Sequence, residues 1–191
     1  MAISGRMYES LTQADARRMP FADGSLASVM SLSVLEHIPR IEKAVAETYR
    51  VLGQDGTFAF TAPTDKLNEM LFYTRAFNKI GLASLGRGYA WLYNKAVSHQ
   101  SLLSEDEWLR MLERIGFEIE RREMIIGRRA LKAFDLTLPL AVPAQASRLL
   151  FGVRGVRRPD FIVDFWEKRL SSFVDEDTDE GSNVFIVARK R

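Results

Sequence analysis

Cysteine is absent from the 191 residues. Disulfides, thiolate nucleophiles and cysteine-ligated zinc are therefore excluded. Histidine occurs only at His37 and His99, which confines side-chain proton transfer at ordinary neutral pKa to those two positions. No apolar run reaches the roughly 18 residues that span a bilayer. The opening MAISGRMYES also lacks the basic-then-apolar layout of a secretory signal. A soluble, cytoplasmic protein is the expectation. An excess of one charge is nearly missing too, since 27 Lys and Arg against 25 Asp and Glu leave +2. The basic residues form no groove-reading motif, so nucleic acid is not an expected partner.

Apolar side chains are plentiful at 47%, enough for a substantial core in a chain of this length. Without repeats or low-complexity tracts, the simplest plan is one domain over 1–191. Its core would comprise 7–63, 98–126 and 183–191, with an aromatic insertion at 64–97 and a basic, apolar one at 127–182.

The stretch from Asp15 to Pro63 is the most informative. A loop over Arg17 to Ser25 carries Pro20-Phe21 and the turn signal Asp23-Gly24. Ala27 to Leu35 reads as a strand. A helix then begins at Pro39, with Ile41, Ala44, Val45, Thr48 and Leu52 at the spacing of one buried stripe. Gly53 is placed to end it in a left-handed conformation, and Asp55-Gly56 turns into a second strand, Thr57 to Thr61. Strand, helix, strand predicts a parallel pair with a right-handed crossover. Upstream, Met7 to Ala14 reads as a weaker strand with Asp15 at its carboxyl end.

In this stretch Asp15-Ala16, Met19-Pro20-Phe21, Val34-Leu35-Glu36-His37, Glu47, Arg50-Val51-Leu52 and Gly56 occur in order. The pattern resembles the second half of class I S-adenosylmethionine-dependent methyltransferases of the type 11, ubiquinone/menaquinone-biosynthesis-like group. Two departures stand out. Leu26-Ala27 occupies the usual Phe-Asp position, and Gln54-Asp55-Gly56 the usual Pro-Gly-Gly.

The resemblance implies an α/β fold with an incomplete Rossmann-like methyltransferase sheet. It would be mostly parallel with an antiparallel last strand, with helices on both faces and helical insertions. The family's glycine-rich cofactor loop and the acidic end of its second strand should precede Asp15, where only fourteen residues stand. Gly86-Arg87-Gly88 follows a helical segment and cannot replace that loop. A fragment, an N-terminally truncated form or a chain completed by a partner is therefore expected. A sheet rearranged to place Met7–Ala14 beside Ala27–Leu35 is the remaining option. The strand Ala27 to Leu35 would be left as an uncovered apolar edge prone to self-association.

By the same resemblance, Asp15 accepts from the adenine amino group, Ala16 lies beside the ring, and the backbone around Leu32 flanks the cofactor. In quinone-pathway relatives a similar stretch gives two carboxylates and a histidine to a divalent metal. Here Ser33 replaces the first carboxylate, leaving Glu36 and His37, too few for a hard cation; no metal is expected. His37 and His99 are the candidate catalytic bases, with helix-entry hydrogen bonding and a solvated loop as their plainer alternatives.

Lys66 to Leu85 reads as helical, with Leu67, Met70, Leu71, Phe77 and Ile80 available for burial. The neighbouring Phe72, Tyr73, Tyr89, Trp91 and Tyr93 serve either as packing or as a cap over an apolar acceptor. Ser104 and Glu107 form a capping-box signature for a helix Glu105 to Ile115 ended by Gly116. Phe117 to Ile126 and Asn183 to Arg189 read as strands. Between them, Gly127 to Pro159 interleaves seven Arg and Lys with leucines against Asp135 alone. That segment suits a lid, a packed hairpin or contact with an anionic membrane. The acidic run Asp175 to Glu180 reads as a solvated loop. The expected activity is methyl transfer from S-adenosyl-L-methionine to a small, hydrophobic or lipid-like acceptor. The alternative is a non-catalytic methyltransferase-like remnant or partner subunit that acts by binding.

Overall fold

The computed structural model describes residues 10–138 and 180–191. Four strands form one sheet in the order β1 (Leu26–Leu32), β2 (Leu52–Pro63), β4 (Gly181–Lys190), β3 (Phe117–Gly127). The β1–β2 pair is parallel, with Leu32 opposite Thr61. β4 runs antiparallel to both β2 and β3, so three strands share a direction and the last opposes them. That matches the expected sheet.

The crossover from β1 to β2 passes through a short 3-10 turn, Leu35–His37, and helix α1, Ile41–Val51. All five residues of the predicted stripe are buried. α5 (Glu105–Ile115) packs beside α1 over the same sheet face. There Phe58, Phe60, Val184, Ile186 and Ala188 alternate inward along β2 and β4 and meet Val45, Trp108 and Leu112. Full burial of each such side chain contributes about 1.5–3 kcal/mol. Phe60 and Trp108 add an aromatic contact with ring centroids 4.7 Å apart. α5 is bounded as its sequence dictates. Ser104 Oγ accepts from Glu107 N, Glu107 Oε2 accepts from Ser104 N at 2.7 Å, and Gly116 closes the helix at φ +115°.

Four expectations are corrected. Residues 10–14 form no strand, and Asp15 makes only an isolated bridge to Arg18. Leu11 is 86% exposed, so nothing is buried to reward extended pairing there, beside β1 or elsewhere; residues 7–9 lie outside the described residues. Lys66 to Leu85 is not one helix but α2 (Lys66–Met70), α3 (Phe72–Lys79) and the start of α4 (Ala83–Val97). Leu71 leaves the helical region at ψ 132°, and Gly81 at φ +79° turns the chain back. Ile80, expected in the core, lies exposed at that turn. Gly53 is not left-handed; Asp55 takes that conformation at φ +59°. A Cβ at Gly53 would stand 3.2 Å from the Gly24 carbonyl oxygen, so it is close backbone approach that favours glycine there.

α2 and α4 enclose a second small core of Leu67, Met70, Leu71, Ala90 and Leu131. Leu131 belongs to a helix that runs through 128–138. Its Asp135 is fully buried, accepting from Tyr73 N at 3.1 Å and from the Tyr89 hydroxyl. The acidic carboxylate thus ties the start of α3 and the middle of α4 to this helix. Most of the basic, apolar insertion (139–159) and the acidic run up to residue 179 lie outside the described residues. No helix among the described residues is long and apolar enough to cross a membrane.

Candidate functional site

The carboxyl end of β1 turns sharply at Ser33, φ +48°, where Ser33 N donates to Thr61 O at 3.0 Å. The chain then enters the Leu35–His37 turn. Leu35 and Glu36 point inward and are buried, while His37 stays at the surface. Gln100 N donates to the Glu36 carbonyl oxygen at 2.8 Å, which lays the loop carrying His99 against this turn. The imidazoles of His37 and His99 thereby face each other with centroids 5.3 Å apart.

Their hydrogen bonds assign the tautomers. His37 Nδ1 lies 3.2 Å from Ser98 O, which can only accept. His99 Nδ1 lies 2.8 Å from Asn94 Oδ1. The Asn94 amide cannot be reversed, because its Nδ2 donates to Ala90 O at 2.9 Å; the same nitrogen also donates to Asn68 Oδ1 at 2.6 Å. Both rings therefore donate through Nδ1 and keep the Nε2 lone pair for another group.

Burial first, and the neighbouring His37 second, hold the His99 pKa below its ordinary value. Glu36 is shifted the opposite way, upward, because burial penalises its charged form. Its Oε2 has no partner, while Oε1 lies 3.7 Å from His37 Nε2. One ligand atom each from Glu36, His37 and His99 falls within 4.8 Å of the others, close enough to converge on one cation. Sequence reading counted His99 apart from Glu36-His37. The bonds from Gln100 N to Glu36 O and between His37 Nδ1 and Ser98 O bring it in, and no spacing rule signals that.

The predicted adenine-side residues lie nearby. Asp15 Oδ1 accepts from Arg17 N and Nε, and Oδ2 from Arg17 Nε and an NH2 nitrogen at 2.7 Å. Those bonds hold the carboxyl at about 2. Arg17 also reaches Pro39 O at 3.4 Å, placing the pair at the entry to α1, just beyond β1. Ala16 is half-buried beside it, and Leu32 lies exposed at the strand end. The loop between Asp15 and β1 is latched to α1 by Arg50. Its guanidinium donates to Glu47 Oε1, Asp23 Oδ1, Phe21 O and Met19 O, and Met19 N donates to Glu47 Oε1 at 2.7 Å. Met19, Phe21, Glu47 and Arg50 in the motif are thus partners in one latch.

The family model described as "Methyltransferase domain" matches residues 4–60. The chain is 33% identical over 114 residues to a malonyl-[acyl-carrier protein] O-methyltransferase of Geobacter sulfurreducens, covering 59% of this chain and 39% of that protein. It thus spans well under half of that curated relative. Among solved structures, the [4+2]-cyclase SpnF shares the fold at TM-score 0.54 and 17% identity, over 94% of this chain and 56% of that one. A geranyl diphosphate methyltransferase in complex with SAM does so at TM-score 0.51 and 14% identity, over 93% and 56%. Residues 4–60 are thus similar to a methyltransferase domain, and the sheet is similar in fold to these two solved structures.

Proposed function

We propose that this chain forms the adenine side and the proton-accepting side of an S-adenosylmethionine-dependent methyl-transfer site. The observation that carries the reading is the pairing of His37 and His99 just beyond the carboxyl end of β1, with Asp15 tied through Arg17 to the Pro39 carbonyl two residues from His37. Ligands of open α/β sheets bind at such strand ends.

The residues present fit the adenosine part of the methyl donor. Asp15 stays ionised and accept-only at neutral pH, which suits an amino-group donor once Arg17 yields one of its bonds. Ala16 and Leu32 supply apolar surface next to it. When bound, S-adenosylmethionine supplies a methyl group already activated on a sulfonium, so much of the catalysis is alignment of the acceptor. His99, held neutral with Nε2 as its lone-pair nitrogen, takes the proton that an acceptor O–H or N–H loses as its bond to the methyl forms. His37 stands ready to share that role. The cap formed by α2–α4, with Tyr73 and Tyr89 tied to Asp135, suits a hydrophobic, lipid-like acceptor.

A strand laid along the open edge of β1 would complete the site. β1 reads LASVMSL, with no charge and no proline, and lacks the usual protections of a solvent-facing edge. Met30 and Leu32 are 72% and 56% exposed there.

The test separates the two halves of the site. Calorimetry of this chain with S-adenosylmethionine should show little heat. Adenosine at high concentration should nonetheless shift amide resonances at Asp15, Ala16, Leu32 and Ser33. Shifts elsewhere, or none, would overturn the adenine-side assignment.

A further inference from the structure

The α3–α4 hairpin turns several large apolar side chains toward solvent. On α4, Gly86 and Ala90 are buried, Gly86 against Thr74 and Asn78 of α3 and Ala90 in the small core. The opposite side carries Leu85, Trp91 and Leu92, with Leu85 and Leu92 seven residues apart on one stripe. At the turn before it, Ile80 and Leu82 add to the patch. All five are between 44% and 66% exposed. Single exposed apolar residues are ordinary, but five large ones within thirteen residues of one hairpin point to a binding surface.

The charge of the hairpin says what would cover it. Between Glu69 and Glu105 the chain holds no Asp or Glu at all, yet carries Arg75, Lys79, Arg87 and Lys95. All four are surface residues. Lys95 Nζ sits 4.8 Å from the centre of the Trp91 ring, so cation and aromatic ring are presented together. An outward apolar stripe with tryptophan, flanked by cations and free of anions, is the pattern of a helix that lies in the headgroup layer of an anionic bilayer.

From this we propose that the outer face of the α3–α4 hairpin docks on anionic lipid membranes. Leu85, Trp91 and Leu92 enter the acyl boundary, and Arg75, Lys79, Arg87 and Lys95 meet the headgroups. The surface is separate from the His37–His99 site, so the inference stands whether or not methyl transfer is the activity.

Vesicle co-sedimentation tests it with the full chain. Vesicles of equal parts phosphatidylcholine and phosphatidylglycerol should bind the protein, and pure phosphatidylcholine vesicles should not. High salt should release it. The exposed-site variants Arg87→Glu with Lys95→Glu should weaken binding by about tenfold or more, given the contribution of each cation near a charged surface. Leu85→Ser with Trp91→Ser should abolish it while leaving the circular dichroism spectrum unchanged. Equal binding to neutral vesicles, binding that survives both double variants, or none to either vesicle would each overturn the proposal. So would a dimer in sedimentation velocity that Trp91→Ser dissolves, since a second copy would then be the occupant.

Discussion

His37 and His99 are held next to each other, rings tilted by 37° with centroids 5.3 Å apart, by backbone bonds between their two loops. The arrangement fixes a sign for the pH response. His99 sits below the ordinary imidazole value of 6.5 because of burial and the nearby His37. Between its folded pKa and 6.5 the unfolded chain binds more protons than the folded one, so stability falls as pH drops through that window. Glu36 acts in a different range: its raised value means the folded state holds extra proton above 4.5, so stability there falls as pH rises. Proton NMR should show the His99 ring titrating below 6.5. Its neutral form should carry the proton on Nδ1 in long-range nitrogen–proton spectra, and Asn94→Leu should move it to Nε2. A wild-type ring protonated on Nε2 would contradict the tautomer assignment.

Asp135 is the second test. It is fully buried and accepts from Tyr73 N and the Tyr89 hydroxyl. Asp135→Ala strands both donors, and each such loss costs about 1–3 kcal/mol. Tyr89→Phe removes only one bond and should cost less. Urea unfolding of the two variants gives the order directly.

Gly116 offers a backbone test. At φ +115° a Cβ would meet the Tyr49 hydroxyl at 2.9 Å. Gly116→Ala should therefore destabilise by more than about 1 kcal/mol, since strain and contact act together. Ser104→Ala, at the other end of α5, removes a capping box and should cost about 0.5–2 kcal/mol. Thermal melts of both variants, with a fold otherwise unchanged, check the pair.

The β1 edge predicts association behaviour. With Met30 and Leu32 exposed and no charge from Leu26 to Leu32, the chain should self-associate as its concentration rises. Leu32→Lys places a charge on the edge and should shift association to concentrations at least about tenfold higher, a change of about 1.4 kcal/mol. Sedimentation velocity reads the shift. An unchanged association curve would mean that a different surface is responsible.

Local chemistry made much of this protein legible without coordinates. The Ile41–Leu52 stripe, the Ser104–Glu107 box and Gly116 set α1 and α5, because periodicity and caps act over one or two turns. The ordered motif from Asp15 to Gly56 carried the resemblance to methyltransferases for the same reason: its members Met19, Phe21, Glu47 and Arg50 are partners within a single latch. Tertiary structure decided what no local rule could. Only the packed loops bring His99 to Glu36-His37, only the buried Asp135 explains how α3 and α4 are held, and only side-chain exposure separates the outer face of α4 from the aromatic packing beneath it. Those outcomes depend on long-range contacts, whose energy is gained between segments far apart in the chain and so leaves no periodic trace in either.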